Sequence, residues 1–197
     1  MNGVLEGITV FVDRDGTLND DPGYLTDPDG LILFPGVVEA VARLKQAGSR
    51  VVLVTNQSAV GRKYMTVDEL TVIHDRLEKF LEDGGGSLDG IFFCPHHPDE
   101  RCACRKPKPG LIQQAVHALD IQVSRSYMVG DKLSDLELAQ AVGAIGVLVS
   151  TTSQSQTAID AQNQGLIEIE CTTLNFSDAV DWILRDALTR NWPNEKR

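Results

Sequence analysis

The 197-residue sequence has no apolar run near the roughly 20 residues needed to span a bilayer, so no membrane helix is expected. It lacks a basic stretch followed by an apolar signal core, and a cytoplasmic chain is expected. Positive charge is scarce: 18 Lys and Arg face 28 Asp and Glu, giving a formal charge of −10 and a pI near 4.8. Nucleic-acid binding neutralises phosphates with many cations, so no nucleic-acid partner is expected, and an anionic ligand must find a local basic pocket. Neither Gly-x-Gly-x-x-Gly nor Gly-Lys-Ser/Thr occurs, which removes the dinucleotide fingerprint and the P-loop. Cysteine is limited to four residues. Three of them, Cys94, Cys102 and Cys104, fall within 11 residues beside His96 and His97, a density that suggests metal rather than disulfides. Cys171 is left over and reads as a buried thiol.

What is present is an ordinary globular composition, 42% apolar, with no internal repeat. Runs rich in β-branched or aromatic residues at 8–12, 51–54, 91–93, 127–129 and 145–149 hardly alternate, as strands buried on both faces should. Positions 166–169 alternate more and predict an edge strand. Helical spacing joins Val37, Val38, Val41 and Leu44 between Pro35 and Gly48, then Leu70, Ile73, Leu77 and Leu81. Further helices are predicted over 111–119 and 133–142 and around Val180, Ile183, Leu184 and Leu188. Alternating strand and helix implies right-handed crossovers. The expected fold class is α/β, a three-layer Rossmann-like parallel sheet with helices on both faces, forming one domain over 1–197. The polar stretch 150–164 reads as loop plus exposed helix. Ligands of such sheets bind outside the carboxyl ends of the strands.

Those ends carry chemistry. The first strand runs into Asp13-Arg14-Asp15-Gly16-Thr17. Extended residues i and i+2 point the same way, about 6–7 Å apart, so both carboxylates can face one centre; Asp-Gly is also a common turn signal. The second strand ends in Thr55-Asn56-Gln57-Ser58, a run of hydroxyl and amide groups able to donate to phosphate oxygens. The fourth ends in Gly130-Asp131-Lys132, with Asp135 at a helix start, where an Asp serves as a cap. Phosphoryl transfer requires a hard-cation site, an in-line nucleophile and positive charge around the phosphoryl oxygens. Asp13 and Asp131 are suited to hold Mg²⁺, Asp13 to attack phosphorus, and Asp15 to give and later take a proton. These roles predict an ionised Asp13 and an Asp15 held above the free value of about 3.9.

Cys94, His96, Cys102 and Cys104 form a Cys₃His set suited to structural zinc, with His97 the neighbour able to substitute. A metal-free thiol loop is the alternative. Between Cys94 and Gly110 four cations face two anions, so this loop is basic within an acidic protein. Arg105 and Lys106 follow the last candidate ligand. Lys106 is expected to neutralise the transferred group and Arg105 to fork onto substrate. Lys108, Arg62 and Lys63 are expected to be solvated.

From about Val10 to Val149 these motifs resemble the haloacid dehalogenase superfamily of phosphatases. The resemblance implies Asp13 as nucleophile, Asp15 as general acid/base, Thr55 as a phosphate donor, a lysine that neutralises the phosphate, and Asp131 completing the Mg²⁺ site with the Asp15 carbonyl. Cys-x-Cys-Arg-Lys-Pro, with Asp-Arg-Asp-Gly-Thr-Leu-Asn and Thr-Asn-Gln-Ser, is similar to the D-glycero-D-manno-heptose 1,7-bisphosphate 7-phosphatase family, whose loop histidinol-phosphate phosphatases share. The implied activity is Mg²⁺-dependent removal of the C7 phosphate, with histidinol phosphate or another small sugar phosphate as the alternative. A receiver-type phosphoacceptor domain is the non-enzyme reading. Substrate contacts are expected from Arg14, Asn56, Ser58, Arg105 and Lys132. Ala59 and Lys63 stand where the family usually has glycine, a difference that bears on substrate shape and anomer. Only 42 positions separate Asp13 from Thr55 and 51 separate Thr55 from Lys106, leaving no room for a large cap domain. The expected site is therefore open, bordered by 20–34 and a zinc-loop insertion over 94–104, and suited to a compact phosphorylated sugar. A monomer is expected, with no membrane partner.

Overall fold

Six strands form one sheet: β1 (Thr9–Val12), β2 (Arg50–Asn56), β3 (Gly90–Cys94), β4 (Ser126–Gly130), β5 (Ile145–Val149) and β6 (Cys171–Thr173). They lie in the order β3-β2-β1-β4-β5-β6, and every neighbouring pair is parallel. The computed structural model describes residues 3–150 and 152–192, so both ends of the expected 1–197 domain and Thr151 of the polar stretch lie outside the described residues. Val10 and Val12 face one side of the sheet and Phe11 the other, all fully buried, which is why the central runs do not alternate in polarity.

Helices α1 (Val37–Gln46), α3 (Val67–Asp83) and α7 (Phe176–Thr189) pack on the Val10 face. Helices α4 (Gly110–Leu119), α5 (Leu133–Val142) and α6 (Ser155–Asn163) cover the other face. The short α2 (Ser58–Gly61) follows β2. Sequence spacing located these helices because each buries one stripe: Val37, Ala40, Val41 and Leu44 on α1, and Leu70, Ile73, Leu77 and Leu81 on α3. Thr66 and Glu69 close a reciprocal capping box that starts α3. Among the described residues no helix is long and apolar enough to cross a membrane.

The edge strand is a correction. Positions 166–169 do not pair; Leu166 is exposed, and Ile167 and Ile169 pack with Leu136, Leu148 and Ala158. Pairing with β5 begins only when the Glu170 amide donates to the Gly146 carbonyl, so Cys171 sits on the edge strand, partly exposed rather than buried. The alternation at 166–169 records side-chain burial without a ladder.

Strand order reverses between β1 and β4, which opens a crevice at their carboxyl ends. Among the described residues no cap domain covers it. The 20–34 segment holds one turn of 3₁₀ helix (Pro28–Gly30) and is pinned to α3 by the Arg76–Asp29 ion pair at 2.6 Å. On the far side, the Gly61 amide donates to Pro95 O at 2.7 Å, and the Gln57 amide to Cys94 O at 2.8 Å, fixing the loop after β3 against α2. A Cβ at Gly61 would collide with the His97 amide and stand 2.8 Å from Pro95 O, both backbone atoms. Gly61→Ala should therefore destabilise the protein by about 1–3 kcal/mol, as overpacking does, with the urea midpoint as the measure. An unchanged midpoint would show that the loop is not seated there.

Candidate active site

Asp13 leaves the end of β1 with its amide donating to Val129 O at 2.9 Å, which ties it to β4. Its carboxylate is nearly sealed from solvent and pairs through Oδ1 with Lys106 Nζ at 2.8 Å. The same ammonium reaches Asp135 Oδ1 at 2.6 Å and donates to Val54 O at 2.9 Å, so its three donors are all engaged. Burial works against the charge on Lys106. The Asp13 and Asp135 carboxylates outweigh it and hold the pKa above the ordinary lysine range.

Asp131 at the end of β4 is fully buried and accepts from Thr152 Oγ1 at 2.8 Å through Oδ2, while Oδ1 has no donor among the described residues. Burial and the neighbouring Asp13 charge push its pKa up to about 7, against the opposing pull of Lys132. Gly16, at φ +86, lies so close to this carboxylate that a Cβ would clash with it, which makes glycine obligatory in the turn after Asp15. Carboxylate oxygens of Asp13, Asp131 and Asp135 lie within 4.8 Å of one another. Three buried carboxylates at that spacing, one with an orphaned oxygen, fit a hard divalent cation.

Asp135 is the residue the sequence reading undervalued. It does cap α5, accepting from the Lys132 amide at 3.1 Å, but it also joins the carboxylate cluster and the Lys106 pair. Its place one helical turn beyond Asp131 was the available signal. The Asp15 side chain is outside this cluster, and its carbonyl accepts from Lys132 Nζ at 3.4 Å.

Asp15 departs from expectation in its titration. Burial raises its pKa, but the Arg14 charge and hydrogen bonds from Arg14, Asn19 and Gln57 outweigh it, and the carboxyl sits below its ordinary value. Arg14 is corrected as a substrate contact. Its side chain is completely buried, with Nε on Asp15 Oδ1 and Nη2 on Asp15 Oδ2, each at 3.0 Å. Asn56 lines the cleft described below and also braces the neighbouring loop: its side-chain amide accepts from the Lys106 amide at 3.0 Å and donates to Lys106 O at 3.3 Å. Thr55 is buried, and its Oγ1 accepts from Gln57 Nε2 at 3.0 Å.

A cleft of about 350 Å³ lies above these groups, lined by Asp15, Tyr24, Gln57, Ser58, Arg105 and Lys132 among others. Ser58 and Arg105 are thus on its wall, and Arg105 Nη1 has no acceptor among the described residues. Lys132 reaches Asp21 at 3.0 Å; burial opposes its charge, but Asp13, Asp131 and Asp21 hold its pKa above the ordinary range.

Cys94, His96, Cys102 and Cys104 converge, with sulfur–sulfur distances of 3.4 and 3.5 Å and His96 Nδ1 at 3.2 Å from Cys104 and 3.6 Å from Cys94. Ligands placed tetrahedrally about 2.0–2.3 Å from one zinc stand roughly 3.3–3.8 Å apart, so the set fits that ion. His97 turns away, its Nδ1 accepting from the Asp99 amide. Lys108, expected to be solvated, donates to Arg101 O and Cys102 O at 2.7 Å and braces the loop.

The family model described as HAD-hydrolase-like matches residues 103–168. The chain is similar to the D-glycero-beta-D-manno-heptose-1,7-bisphosphate 7-phosphatase of Yersinia pestis, 43% identical over 77% of this chain and 87% of that protein. It is also similar to the protein of the same name from Pseudomonas aeruginosa, 42% identical over 72% of this chain and 80% of the relative. Among solved structures, D,D-heptose 1,7-bisphosphate phosphatase from B. bronchiseptica, complexed with magnesium and phosphate, superposes with a TM-score of 0.82 at 36% identity, covering 90% of this chain and 98% of that one.

Because Asp131 keeps a proton up to about pH 7 in the cation-free protein, a divalent ion must displace that proton at lower pH. Mg²⁺ affinity should rise about tenfold per pH unit below 7 and level off above it. Calorimetric titration between about pH 5 and 8 measures this; a flat profile would refute the raised Asp131 value.

Proposed function

This chain belongs to the D-glycero-β-D-manno-heptose-1,7-bisphosphate 7-phosphatase family of haloacid dehalogenase-like hydrolases, and from that premise we propose that it removes the C7 phosphate of a heptose 1,7-bisphosphate through an aspartyl-phosphate at Asp13. It is a phosphoric monoester hydrolase. The observation that carries the residue assignment is the pairing at the end of β1: Asp13 is clamped by Lys106, and Asp15, two residues on, stands in a separate network at the cleft wall.

Asp13 attacks phosphorus while Lys106 holds its Oδ1 and limits rotation of the carboxylate. As the bond from phosphorus to the C7 oxygen breaks, Asp15 delivers a proton to that oxygen and heptose 1-phosphate leaves with a neutral C7 hydroxyl. Water then attacks the aspartyl-phosphate, Asp15 takes its proton, and phosphate departs with Asp13 restored. In the resting site Asp15 is held ionised by Arg14, Asn19 and Gln57. A dianionic phosphate in the cleft opposes Arg14 and raises the affinity of Asp15 for the proton it must deliver. Asp13, Asp131 and Asp135 would hold Mg²⁺, whose charge would offset repulsion between nucleophile and phosphate. Ser58, Arg105 and Lys132 line the cleft that takes the substrate, and Thr55, buried at the end of β2, would donate to a phosphate oxygen.

Zinc at Cys94, His96, Cys102 and Cys104 fixes the loop that carries Arg105 and Lys106. Three reduced thiols suit a reducing compartment, and we place the enzyme in the cytoplasm. Lys63, where the family usually has glycine, takes a left-handed conformation at φ 62 on the exposed turn after α2 and is not among the residues that line the cleft.

Phosphate release from heptose 1,7-bisphosphate anomers, histidinol phosphate and fructose 1,6-bisphosphate at equal concentration tests the substrate. A preference of about 100-fold, roughly 2.7 kcal/mol, for one heptose bisphosphate is the expected result, and a preference for histidinol phosphate would overturn it. Asp13→Asn should lower turnover by about 10³-fold or more, and Asp15→Asn by about 10²–10⁴-fold. Elemental analysis should find about one zinc per chain, and a fully active zinc-free preparation would remove the ion from the account.

A further inference from the structure

Gln57 makes more contacts with the reacting groups than any role yet described requires. Its side chain is almost wholly buried, and both ends of its amide are engaged. Nε2 donates to Asp15 Oδ2 at 2.8 Å and to Thr55 Oγ1 at 3.0 Å, while Oε1 accepts from Arg14 Nη2 at 3.0 Å. The Gln57 main chain is anchored in turn, its amide donating to Cys94 O at the start of the cysteine-rich loop.

The Asp15 carboxylate accepts four hydrogen bonds. Oδ1 takes Arg14 Nε and Asn19 Nδ2, and Oδ2 takes Arg14 Nη2 and Gln57 Nε2. Arg14 and Asn19 belong to the same turn as Asp15 and move with it. Among the described residues, Gln57 is the donor to this carboxylate that comes from another strand end. It therefore sets where Asp15 stands relative to the end of β2. Misplacement by about 1 Å can cost on the order of 10²-fold in a proton transfer, so this fixing has kinetic weight. Behind Arg14 lies His74, which burial and the Arg14 charge push down to about 3, so it stays neutral and does not compete for the carboxylate.

We propose that Gln57 is a positioning residue for the known chemistry: by tying Asp15 to the β2 end, it aims the general acid at the departing alcohol oxygen. The inference rests on the phosphatase reading with Asp15 as acid. Gln57 touches neither phosphorus nor the leaving group in this assignment, and acts through Asp15. Its Arg14 contact serves the same end, since it holds the guanidinium that grips both Asp15 oxygens.

The test separates aiming from general support of the fold. kcat/KM reports the steps up to phosphoryl transfer, so the later hydrolysis does not enter it. A sugar alcohol leaves only if protonated, whereas 4-nitrophenolate leaves without help. Gln57→Met should lower kcat/KM for heptose 1,7-bisphosphate on the order of 10²-fold and for 4-nitrophenyl phosphate by less than about 3-fold. Gln57→Glu keeps the bond to Arg14 but turns the donor into a repelling oxygen, and should show the same selectivity even if Gln57→Met folds poorly. In an Asp15→Asn background, either change should add little, because the group it aims is already gone. Equal losses on both esters, or fully additive losses with Asp15→Asn, would overturn the positioning role alone. An unaltered chain that hydrolysed neither ester would overturn the phosphatase reading, and this inference with it.

Discussion

The Lys106 ammonium, buried between Asp13 and Asp135 and donating to Val54 O, is the interaction on which the rest of the site depends. Three carboxylates within 4.8 Å, all inaccessible to water, repel one another and lose hydration. One ammonium offsets part of that cost, and a divalent cation held by the three carboxylates would offset the remainder. Removing one member of a buried pair typically costs about 3–5 kcal/mol, because the other charge is left uncompensated. The site is thus stable only when its positive charges are delivered to fixed points.

Delivery of Lys106 is a problem of loop geometry, since the residue belongs to no strand or helix. The converging Cys94, His96, Cys102 and Cys104 side chains at one end and the reciprocal Asn56 bonds at the other constrain it from two sides. Lys108 closes the intervening turn onto Arg101 and Cys102. A loop held at both ends loses less freedom when Lys106 meets its carboxylates, so the ion pairs form against a smaller entropic cost. The basic loop in an acidic chain therefore does two jobs: Lys106 compensates buried carboxylates, while Arg105 remains on the cleft wall.

Much of this was legible in the residue pattern, for identifiable reasons. Strands buried on both faces read as unbroken β-branched runs, and the carboxyl ends of β1, β2 and β4 follow from them with their polar residues attached. Four candidate metal ligands packed into 11 residues are equally hard to miss. Side-chain direction was the information lacking. Arg14 has the composition of a substrate contact, yet tertiary structure turns it onto Asp15, while Asn56 lines the cleft and at the same time braces the Lys106 backbone. Asp135 reads as a helix cap, and is one, but closure of the crevice also brings it to Lys106. The expected rise of the Asp15 pKa failed because a sequence states which groups are near in chain order, not that four donors converge on one carboxylate.

Two aspartates separated by one residue must behave differently, and the difference is made by Thr55 and Asn56 at the end of β2 and Gln57 just beyond it. Asn56 holds the Lys106 backbone, and through Lys106 the structure reaches Asp13. Gln57 reaches Asp15 and Thr55 directly. Successive side chains leaving a strand point to opposite sides, so neighbouring amides can serve two networks without competing. Asp13 shares its ammonium with another buried carboxylate and faces the cation site; Asp15 sits in a hydrogen-bonded frame at the cleft edge, 16% exposed, where a proton can be exchanged. Their division of labour comes from environment rather than residue type, as it does wherever two carboxylates share a reaction. Thr55-Asn56-Gln57 is for that reason also the partition between the proposed nucleophile and the proposed acid.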